Sequence, residues 1–258
     1  MEFLEKLFSL KGKTAVVTGG AQGIGKVVSS YLAGAGADIV IFDLQLEAAE
    51  NVAEEITKER NVRACAFYCD VTNPDMVDKT IAEAAQKMGG LDILFNNAGI
   101  CQHKSALEVT SEEWLKVINV NLNGVFYMAR AFGKYLIENG RKGSIINTAS
   151  MSGTIVNIPQ EQASYNSSKA AVKHLTKSLA VEWSKKGVRV NSISPGYIKT
   201  EMTGTVRQDW QNFWTGLIPF GRMGLPEELA GAVIYLASDA STYTSGCDMI
   251  IDGCFTSI

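Results

Sequence analysis

A serine, a tyrosine and a lysine lie within one stretch of the chain, at spacings that suit proton transfer. Ser150 begins the stretch, Tyr165 follows it, and Lys169 is four residues further along. On a helix, the tyrosine and the lysine would be one turn apart on the same face. A free phenol titrates near ~10, and a nearby ammonium favours the phenolate and lowers this pKa. The pattern predicts an acid/base tyrosine, but helices also carry such a pair by chance, so the surrounding elements must support it.

The elements around this stretch alternate between apolar strands and helices. Seven strands are predicted, at 14–18, 38–42, 63–70, 91–96, 143–149, 188–194 and 249–252. Six helices are predicted, at 23–35, 46–59, 74–88, 111–139, 161–185 and 226–238. Strands that are apolar throughout are typical of a parallel sheet covered on both faces. Since no repeat or linker interrupts the chain, we expect a single doubly wound α/β domain over 1–258, with ligands beyond the carboxyl ends of its strands.

The first predicted strand and helix are joined by a glycine-rich turn, G-G-A-Q-G-I-G at 19–25. Glycines permit a tight turn and a close backbone approach, while the helix N-terminus presents free N–H groups to a pyrophosphate. The spacing is G-x-x-x-G-x-G rather than G-x-G-x-x-G, but its place between strand and helix predicts a dinucleotide site. The predicted cofactor contacts in this turn are Gly19, Gln22, Gly23, Ile24 and Gly25.

Asp43 follows the second predicted strand, eighteen residues past Gly25. A carboxylate at this position accepts hydrogen bonds from ribose hydroxyls and repels a 2′-phosphate. Gln22 and Leu44, the neighbours that would carry a cation in an NADP site, are both neutral. The sequence therefore predicts NAD as the cofactor.

Turns after three further strands carry polar or glycine-rich signals in a matching order. The carboxylate after the third strand could reach an adenine edge, and the segment after the sixth could lie beside a nicotinamide. Each is ordinary turn chemistry by itself, but together with the glycine turn they indicate a bound dinucleotide. The predicted contacts from these turns are Asp70, Val71, Asn97, Ala98, Gly99, Pro195, Gly196, Ile198 and Thr200.

These motifs resemble those of the short-chain dehydrogenase/reductase family over essentially the whole chain. The motifs are T-G-G-A-Q-G-I-G at 18–25, N-N-A-G at 96–99, N-V-N-L-N-G at 119–124, S with Y-x-x-x-K at 150, 165 and 169, and P-G at 195–196. The resemblance implies a Rossmann-type domain, a substrate lid at about 200–225 and a homotetramer or homodimer. The helices at 111–139 and 161–185 are the expected interface elements.

The resemblance also implies a role for each catalytic residue. Tyr165 would donate and accept the proton, and Ser150 would orient the substrate oxygen. Lys169 would lower the tyrosine pKa and hold the nicotinamide ribose. Asn121, a polar residue in a predicted helix, would bind a water that links Lys169 to solvent.

The identity of the catalytic serine stays open between two positions. Ser152 lies thirteen residues before Tyr165, the spacing of many family members, whereas Ser150 lies fifteen before it. We favour Ser150, because it follows the strand and Gly153 then matches the family's serine-x-x-glycine. The segment between Ser150 and Tyr165 is thus longer by two residues, which lie within 154–160. In this longer segment the chain resembles the polyol dehydrogenases of the family, such as the mannitol, galactitol, sorbitol and arabinitol types.

Polar and apolar residues near the catalytic stretch point to different substrates. The predicted substrate contacts are Ser150, Ser152, Asn157, Gln160 and Tyr165, with Gln162 as a further polar group. Such a set favours a polyol or ketose, because an apolar substrate would leave buried polar groups unpaired. The predicted lid is apolar, with Met202, Trp210, Phe213, Trp214 and Leu217. These side chains could cap a sugar, line a ketone or steroid pocket, or pack against the domain or another subunit.

Composition excludes several other classes of protein. The chain has 258 residues, 46% of them hydrophobic, and a net charge of −3, which disfavours partners such as nucleic acid or an anionic membrane. No apolar run is long enough for a membrane span, and the N-terminus does not read as a signal peptide. Five cysteines without a CxxC pair and two histidines predict a cytoplasmic protein with no metal site and no Ser-His-Asp triad.

The predicted function is NAD(H)-dependent interconversion of a secondary alcohol and a ketone in carbohydrate metabolism, with a polyol or sugar as the small-molecule substrate. A ketone, hydroxysteroid or 3-oxoacyl reductase of the same family is an alternative. A catalytically inactive NAD-binding scaffold is an alternative of another class.

Overall fold

Seven parallel strands form one sheet with helices on both faces in the computed structural model, which describes residues 2–258 apart from the side chains of Glu2 and Met202. The strands are β1 (Thr14–Thr18), β2 (Asp38–Asp43), β3 (Ala64–Tyr68), β4 (Ile93–Asn96), β5 (Gly143–Thr148), β6 (Val188–Pro195) and β7 (Asp248–Ile251). Their order in the sheet is β3-β2-β1-β4-β5-β6-β7. This order confirms the predicted doubly wound, Rossmann-type fold.

Ten α-helices lie within the described residues. They are α1 (Glu2–Phe8), α2 (Gly23–Gly34), α3 (Leu46–Arg60), α4 (Pro74–Met88), α5 (Ser111–Ile118), α6 (Val125–Glu138), α7 (Ala163–Trp183), α8 (Glu201–Gly204), α9 (Gln208–Leu217) and α10 (Glu227–Ala237). The helices α8 and α9 occupy the predicted lid. No helix among residues 2–258 combines the length and apolarity of a membrane span.

Alternate residues of each central strand face opposite sides of the sheet, which explains why the strands are apolar throughout. Val17 and Ile41 pack into the core on the side of α2, α3 and α10, whereas Val16 and Val40 pack on the side of α4 and α6. Strand β1 pairs with β2 on one side and with β4 on the other. Between β1 and β4 the chain changes direction across the sheet, and ligand sites of doubly wound folds form at this switch point.

The predicted helix at 111–139 is one continuous helical run but not one α-helix. A π-helical turn, Asn119–Gly124, separates α5 from α6. Gly124 lies at this turn, and a Cβ there would come within 2.8 Å of a Val71 methyl group. The turn therefore lets the helix pass close to the segment after β3. A π-turn inside a helix often marks a functional site.

Candidate active site

A cleft of about 420 Å³ opens at the carboxyl ends of β1, β2, β4 and β5, within the range of typical ligand pockets. It gathers most of the predicted cofactor residues along one wall. The predicted residues that line it are Gly19, Gln22, Gly23, Ile24, Asp43, Asp70, Val71, Asn97, Ala98, Gly99, Tyr165, Lys169 and Thr200. The cleft thus runs from the carboxylate after β2 to the tyrosine and lysine of α7.

The glycine turn brings backbone groups to the cleft without side chains in the way. Gly19 and Gly23 adopt φ angles of +66° and +55°, which glycine tolerates best. A Cβ at Gly25 would overlap the Gly19 carbonyl oxygen. The first turn of α2 receives no side-chain cap from Gln22, and its residues Gly23 and Ile24 line the cleft. The N–H groups of such an uncapped helix end suit a pyrophosphate. These features fit a dinucleotide.

Asp43 holds the glycine turn as well as lining the cleft. One carboxylate oxygen accepts a hydrogen bond from the Ala21 backbone N–H at 3.0 Å, and the other accepts one from Gln45 N–H at 3.0 Å. Leu44 beside it is 58% exposed and offers no charge. Among the described residues that line the cleft, the one cationic side chain is that of Lys169, and it lies at the opposite end from Asp43.

Tyr165, Lys169 and Ser150 meet at the other end of the cleft. The two α7 residues lie one turn apart, with Lys169 Nζ 5.7 Å from the centre of the Tyr165 ring. Lys169 is buried, and Nζ donates to the carbonyl oxygen of Thr148 at 2.7 Å. The Ser150 hydroxyl forms a hydrogen bond with the phenol. The geometry therefore brings together a phenol, a serine hydroxyl and a buried lysine amine.

The pKa of Tyr165 shifts in the direction opposite to the one predicted. Burial raises the pKa of the phenol, and the Ser150 hydrogen bond offsets only part of this rise. Burial also lowers the pKa of Lys169 to about 8. The net shift is upward because loss of solvent disfavours the phenolate, and the lowering of this pKa by Lys169 stays a prediction. Tyr165 is therefore held as a neutral phenol at neutral pH.

Asn121 lies in the π-helical turn and braces the cleft wall. Its Oδ1 accepts from the Ile100 N–H at 2.8 Å, and its Nδ2 donates to the Ile100 carbonyl at 2.8 Å and to Ser168 Oγ at 3.2 Å. A Cβ at Gly99 would lie 3.3 Å from Asn121 Oδ1 and 3.5 Å from Lys169 Nζ. The Asn121 amide thus fixes the backbone at Gly99 and Ile100, which passes Lys169. The binding of a water by Asn121 stays a prediction.

The geometry of the two serines favours Ser150 as the catalytic one. Ser150 precedes a short 3₁₀ turn and accepts a hydrogen bond from the Ser152 N–H at 3.1 Å, which orients its hydroxyl. The Ser152 hydroxyl instead donates to Asn157 Oδ1 at 2.5 Å. Gly153 packs against α7, since a Cβ there would lie 2.8 Å from the Lys169 backbone. The Ser150 hydroxyl hydrogen-bonds to the Tyr165 phenol, whereas the Ser168 hydroxyl donates to the Tyr165 backbone carbonyl.

Most of the predicted substrate-contacting side chains are bonded to one another. Asn157, Gln160 and Gln162 are 2–6% exposed. Asn157 Nδ2 and Gln160 Nε2 both donate to the Tyr197 hydroxyl, at 3.1 and 3.0 Å, and the Trp214 indole N–H donates to Gln160 Oε1 at 2.9 Å. These groups form a buried network beneath the lid rather than a row of free donors.

Four predicted cofactor contacts lie away from the cleft wall. The residues that do not line it are Gly25, Pro195, Gly196 and Ile198. Gly25 and Gly196 allow close packing, because a Cβ on the latter would lie 2.7 Å from Asp252. Ile198 is buried in the core cluster around β1 and β2. Their contact with a cofactor stays a prediction.

Several residues that line the cleft were not among the contacts predicted from the sequence. They are Phe42, Leu44, Gln45, Cys69, Ile100, Val120, Thr148 and Glu201. Most of them are next to a predicted contact in the sequence. Their position near the end of a strand was therefore the signal that could have identified them. Glu201 begins α8 of the lid and carried no motif. His103 and Cys101 lie near the site, with the His103 ring 5.4 Å from Trp210.

Comparisons with known proteins agree with this geometry. A family model described as enoyl-(acyl carrier protein) reductase matches residues 19–256. A sorbose reductase of Candida albicans is 48% identical over 252 residues, which cover 97% of this chain and 89% of that protein. An NADP-dependent mannitol dehydrogenase of Alternaria alternata is 44% identical over 253 residues, covering 97% of this chain and 94% of the relative.

A solved structure has the same architecture. The crystal structure of a short-chain type dehydrogenase/reductase from Mycobacterium marinum superposes with a TM-score of 0.94 at 45% identity, covering 97% of this chain and 98% of the other. Motifs, cleft and relatives are thus consistent over nearly the full length of the chain. The chain belongs to the short-chain dehydrogenase/reductase family, whose members are oxidoreductases that bind a nicotinamide cofactor.

Proposed function

We propose that the protein is an NAD(H)-dependent oxidoreductase that interconverts a secondary alcohol and a ketone of a polyol or ketose. The observation that carries this proposal is the meeting of Tyr165, Ser150 and Lys169 at one end of a cleft whose wall also contains the glycine turn. The relatives named as sorbose reductase and mannitol dehydrogenase support the substrate class.

The proton step follows from the chain's own residues. In ketone reduction, the Tyr165 phenol donates its proton to the carbonyl oxygen that Ser150 orients, and in alcohol oxidation the phenolate takes the proton back. The buried Lys169 ammonium stabilises the phenolate while the proton is away. A bound nicotinamide supplies or accepts the hydride. Burial of the site keeps these interactions strong, because little solvent screens them.

The preference for NAD over NADP is argued from Asp43. A carboxylate facing the ribose repels a 2′-phosphate, and neither Leu44 nor Gln45 beside it brings a compensating cation. The mannitol dehydrogenase of Alternaria alternata is named as NADP-dependent, so relatives do not decide the preference of this chain. The described local charges favour NAD.

A substrate panel with both cofactors tests the proposal. We expect oxidation of at least one of mannitol, sorbitol, galactitol and arabinitol, or reduction of the matching ketoses, followed by NADH absorbance. The kcat/KM with NAD should exceed that with NADP. Turnover restricted to apolar ketones, steroids or acyl thioesters would overturn the substrate class, and a preference for NADP would overturn the cofactor argument. No turnover despite tight NAD binding would indicate a scaffold.

A further inference from the structure

The buried network under the lid converges on one hydroxyl, that of Tyr197. This residue lies two positions past Pro195 and is 9% exposed. Its ring stacks on Trp214 with a centroid separation of 4.4 Å and an interplanar angle of 11°. Among the described residues, two amides, those of Asn157 and Gln160, form hydrogen bonds with the Tyr197 oxygen.

Trp214 sets the orientation of the first amide. An indole N–H can only donate a hydrogen bond, so the Gln160 atom that it contacts at 2.9 Å must be the carbonyl oxygen. The Nε2 of Gln160 then faces Tyr197 and donates to its oxygen at 3.0 Å. A side chain of the lid helix α9 thereby determines that Tyr197 accepts this hydrogen bond.

The second amide is oriented from the opposite side. Two donors converge on Asn157 Oδ1, the Ser152 hydroxyl at 2.5 Å and Gln162 Nε2 at 3.3 Å. The Nδ2 of Asn157 therefore faces Tyr197 and donates to it at 3.1 Å. A hydroxyl has two acceptor lone pairs and one proton. With both lone pairs of Tyr197 engaged, its O–H must donate to a further acceptor.

This hydroxyl is connected to the catalytic end of the cleft. Tyr197 and Trp214 pack in one apolar cluster with Met151, the residue that follows Ser150. Ser152, which bonds to Asn157, also donates its backbone N–H to Ser150 Oγ. A chain of hydrogen bonds through Asn157 and Ser152 thus joins the Tyr197 hydroxyl to Ser150.

We propose that the Tyr197 hydroxyl donates a hydrogen bond to a substrate oxygen beyond the reacting carbon, and that Trp214 directs this bond through Gln160. The inference rests on the proposed function, because it concerns the substrate of the same site. Tyr197 selects hydroxylated substrates, since an apolar substrate would leave its buried O–H unpaired. Trp214 is a positioning residue, because it acts through the amide.

The test compares Tyr197→Phe with the unchanged enzyme on two ketones, the ketose that the enzyme reduces best and cyclohexanone. The variant keeps an aromatic ring on Trp214 and removes the O–H. We expect kcat/KM for the ketose to fall roughly tenfold to a hundredfold. The loss should come mainly from KM, with kcat within about threefold, while kcat/KM for cyclohexanone stays equal or rises. Trp214→Phe, which removes the indole N–H, should also lower the ratio of kcat/KM for the ketose to kcat/KM for cyclohexanone.

Tyr235→Phe is the matched control. The Tyr235 hydroxyl bonds to Thr244 at 2.7 Å, away from the cleft, so this variant should leave both substrates unchanged. Melting temperature and NADH fluorescence titration verify that each variant folds and binds cofactor.

Two results would count against the inference in distinguishable ways. An active enzyme in which Tyr197→Phe leaves the ketose KM unchanged, or reduces kcat for both ketones equally, would overturn the role of Tyr197 alone. An unchanged enzyme that turns over no hydroxylated substrate would overturn the proposed function and the inference with it.

Discussion

Burial and a hydrogen bond act in opposite directions on the pKa of Tyr165, the proposed acid/base. Loss of solvent raises the pKa of Tyr165, while the hydrogen bond with Ser150 lowers it by less. Lys169, buried at its side, has a pKa lowered to about 8. At neutral pH the residues are therefore a phenol and a mostly protonated amine. This pairing suits donation of a proton to a ketone, and the ammonium compensates the charge left behind.

Removal of the phenol hydroxyl should stop turnover without removing the cofactor. For Tyr165→Phe we expect kcat to fall by about 10²- to 10⁴-fold, the usual contribution of a positioned acid/base. The dissociation constant of NADH, measured by fluorescence titration, should change little, because the rest of the cleft wall is intact. Turnover near that of the unchanged enzyme would exclude Tyr165 as the acid/base.

The two reaction directions should respond oppositely to pH. Ketone reduction needs the protonated phenol, whose pKa is raised, so its kcat/KM should be highest at neutral pH and fall as alkaline pH removes the proton. Alcohol oxidation needs the phenolate, so its rate should rise with pH. Above about 8, loss of the Lys169 charge should weaken support for the phenolate and flatten this rise.

Steady-state profiles in both directions check this expectation, with circular dichroism at each pH to verify that the protein stays folded. Lys169→Arg keeps a charge across the range and should remove the inflection near the lysine pKa. Reduction that accelerates with pH would contradict a raised tyrosine pKa.

Among the secondary-structure elements, the turn from β1 to α2 has the least room for change. A Cβ at Gly25 would overlap the Gly19 carbonyl oxygen, whereas a Cβ at Gly34, at the other end of α2, would have no heavy atom within 4 Å. The same helix therefore offers a matched pair of glycine substitutions, one strained and one free.

We expect Gly25→Ala to destabilise the fold by about 1–3 kcal/mol through overpacking and to weaken NADH binding, because the turn that presents the N–H groups must shift. Gly34→Ala should stabilise by about 0.4–1 kcal/mol by restricting the unfolded chain and leave NADH binding unchanged. Urea unfolding and NADH titration measure both effects. Equal changes in unfolding free energy and NADH affinity for the two variants would show that the glycine turn does tolerate a Cβ at position 25.

What the sequence predicts about the elements depends on how local the signal is. The strands and the glycine turn are visible because apolar runs and glycines form local patterns. The π-helical turn at 119–124 is not, because the 3.6-residue pattern passes through it unchanged. The network around Tyr197 is equally hidden, since Trp214 and Gln160 are 54 residues apart in the chain. The pKa shifts of Tyr165 and Lys169 depend on burial, which only the assembled site determines.

For the molecule as a whole, several apolar side chains lie exposed on the helices predicted to form the subunit interface. Leu115 on α5, Phe126 on α6 and Val181 on α7 are 51%, 37% and 80% exposed. We expect a homotetramer or homodimer in solution, measured by size-exclusion chromatography with light scattering. Val181→Lys should shift the assembly toward smaller species, because it places a charge in a contact that would bury it. A monomer at micromolar concentration would contradict this expectation.

The carboxylate of Asp43 links cofactor choice to the construction of the phosphate site. The carboxylate that we propose to face the cofactor ribose also accepts a hydrogen bond from the Ala21 N–H, and so holds the glycine turn in place. A substitution that removes this charge to admit NADP would release the turn as well. Descendants of this enzyme, natural or engineered, should therefore acquire NADP use more readily by adding a cation at Leu44 or Gln45 than by losing Asp43.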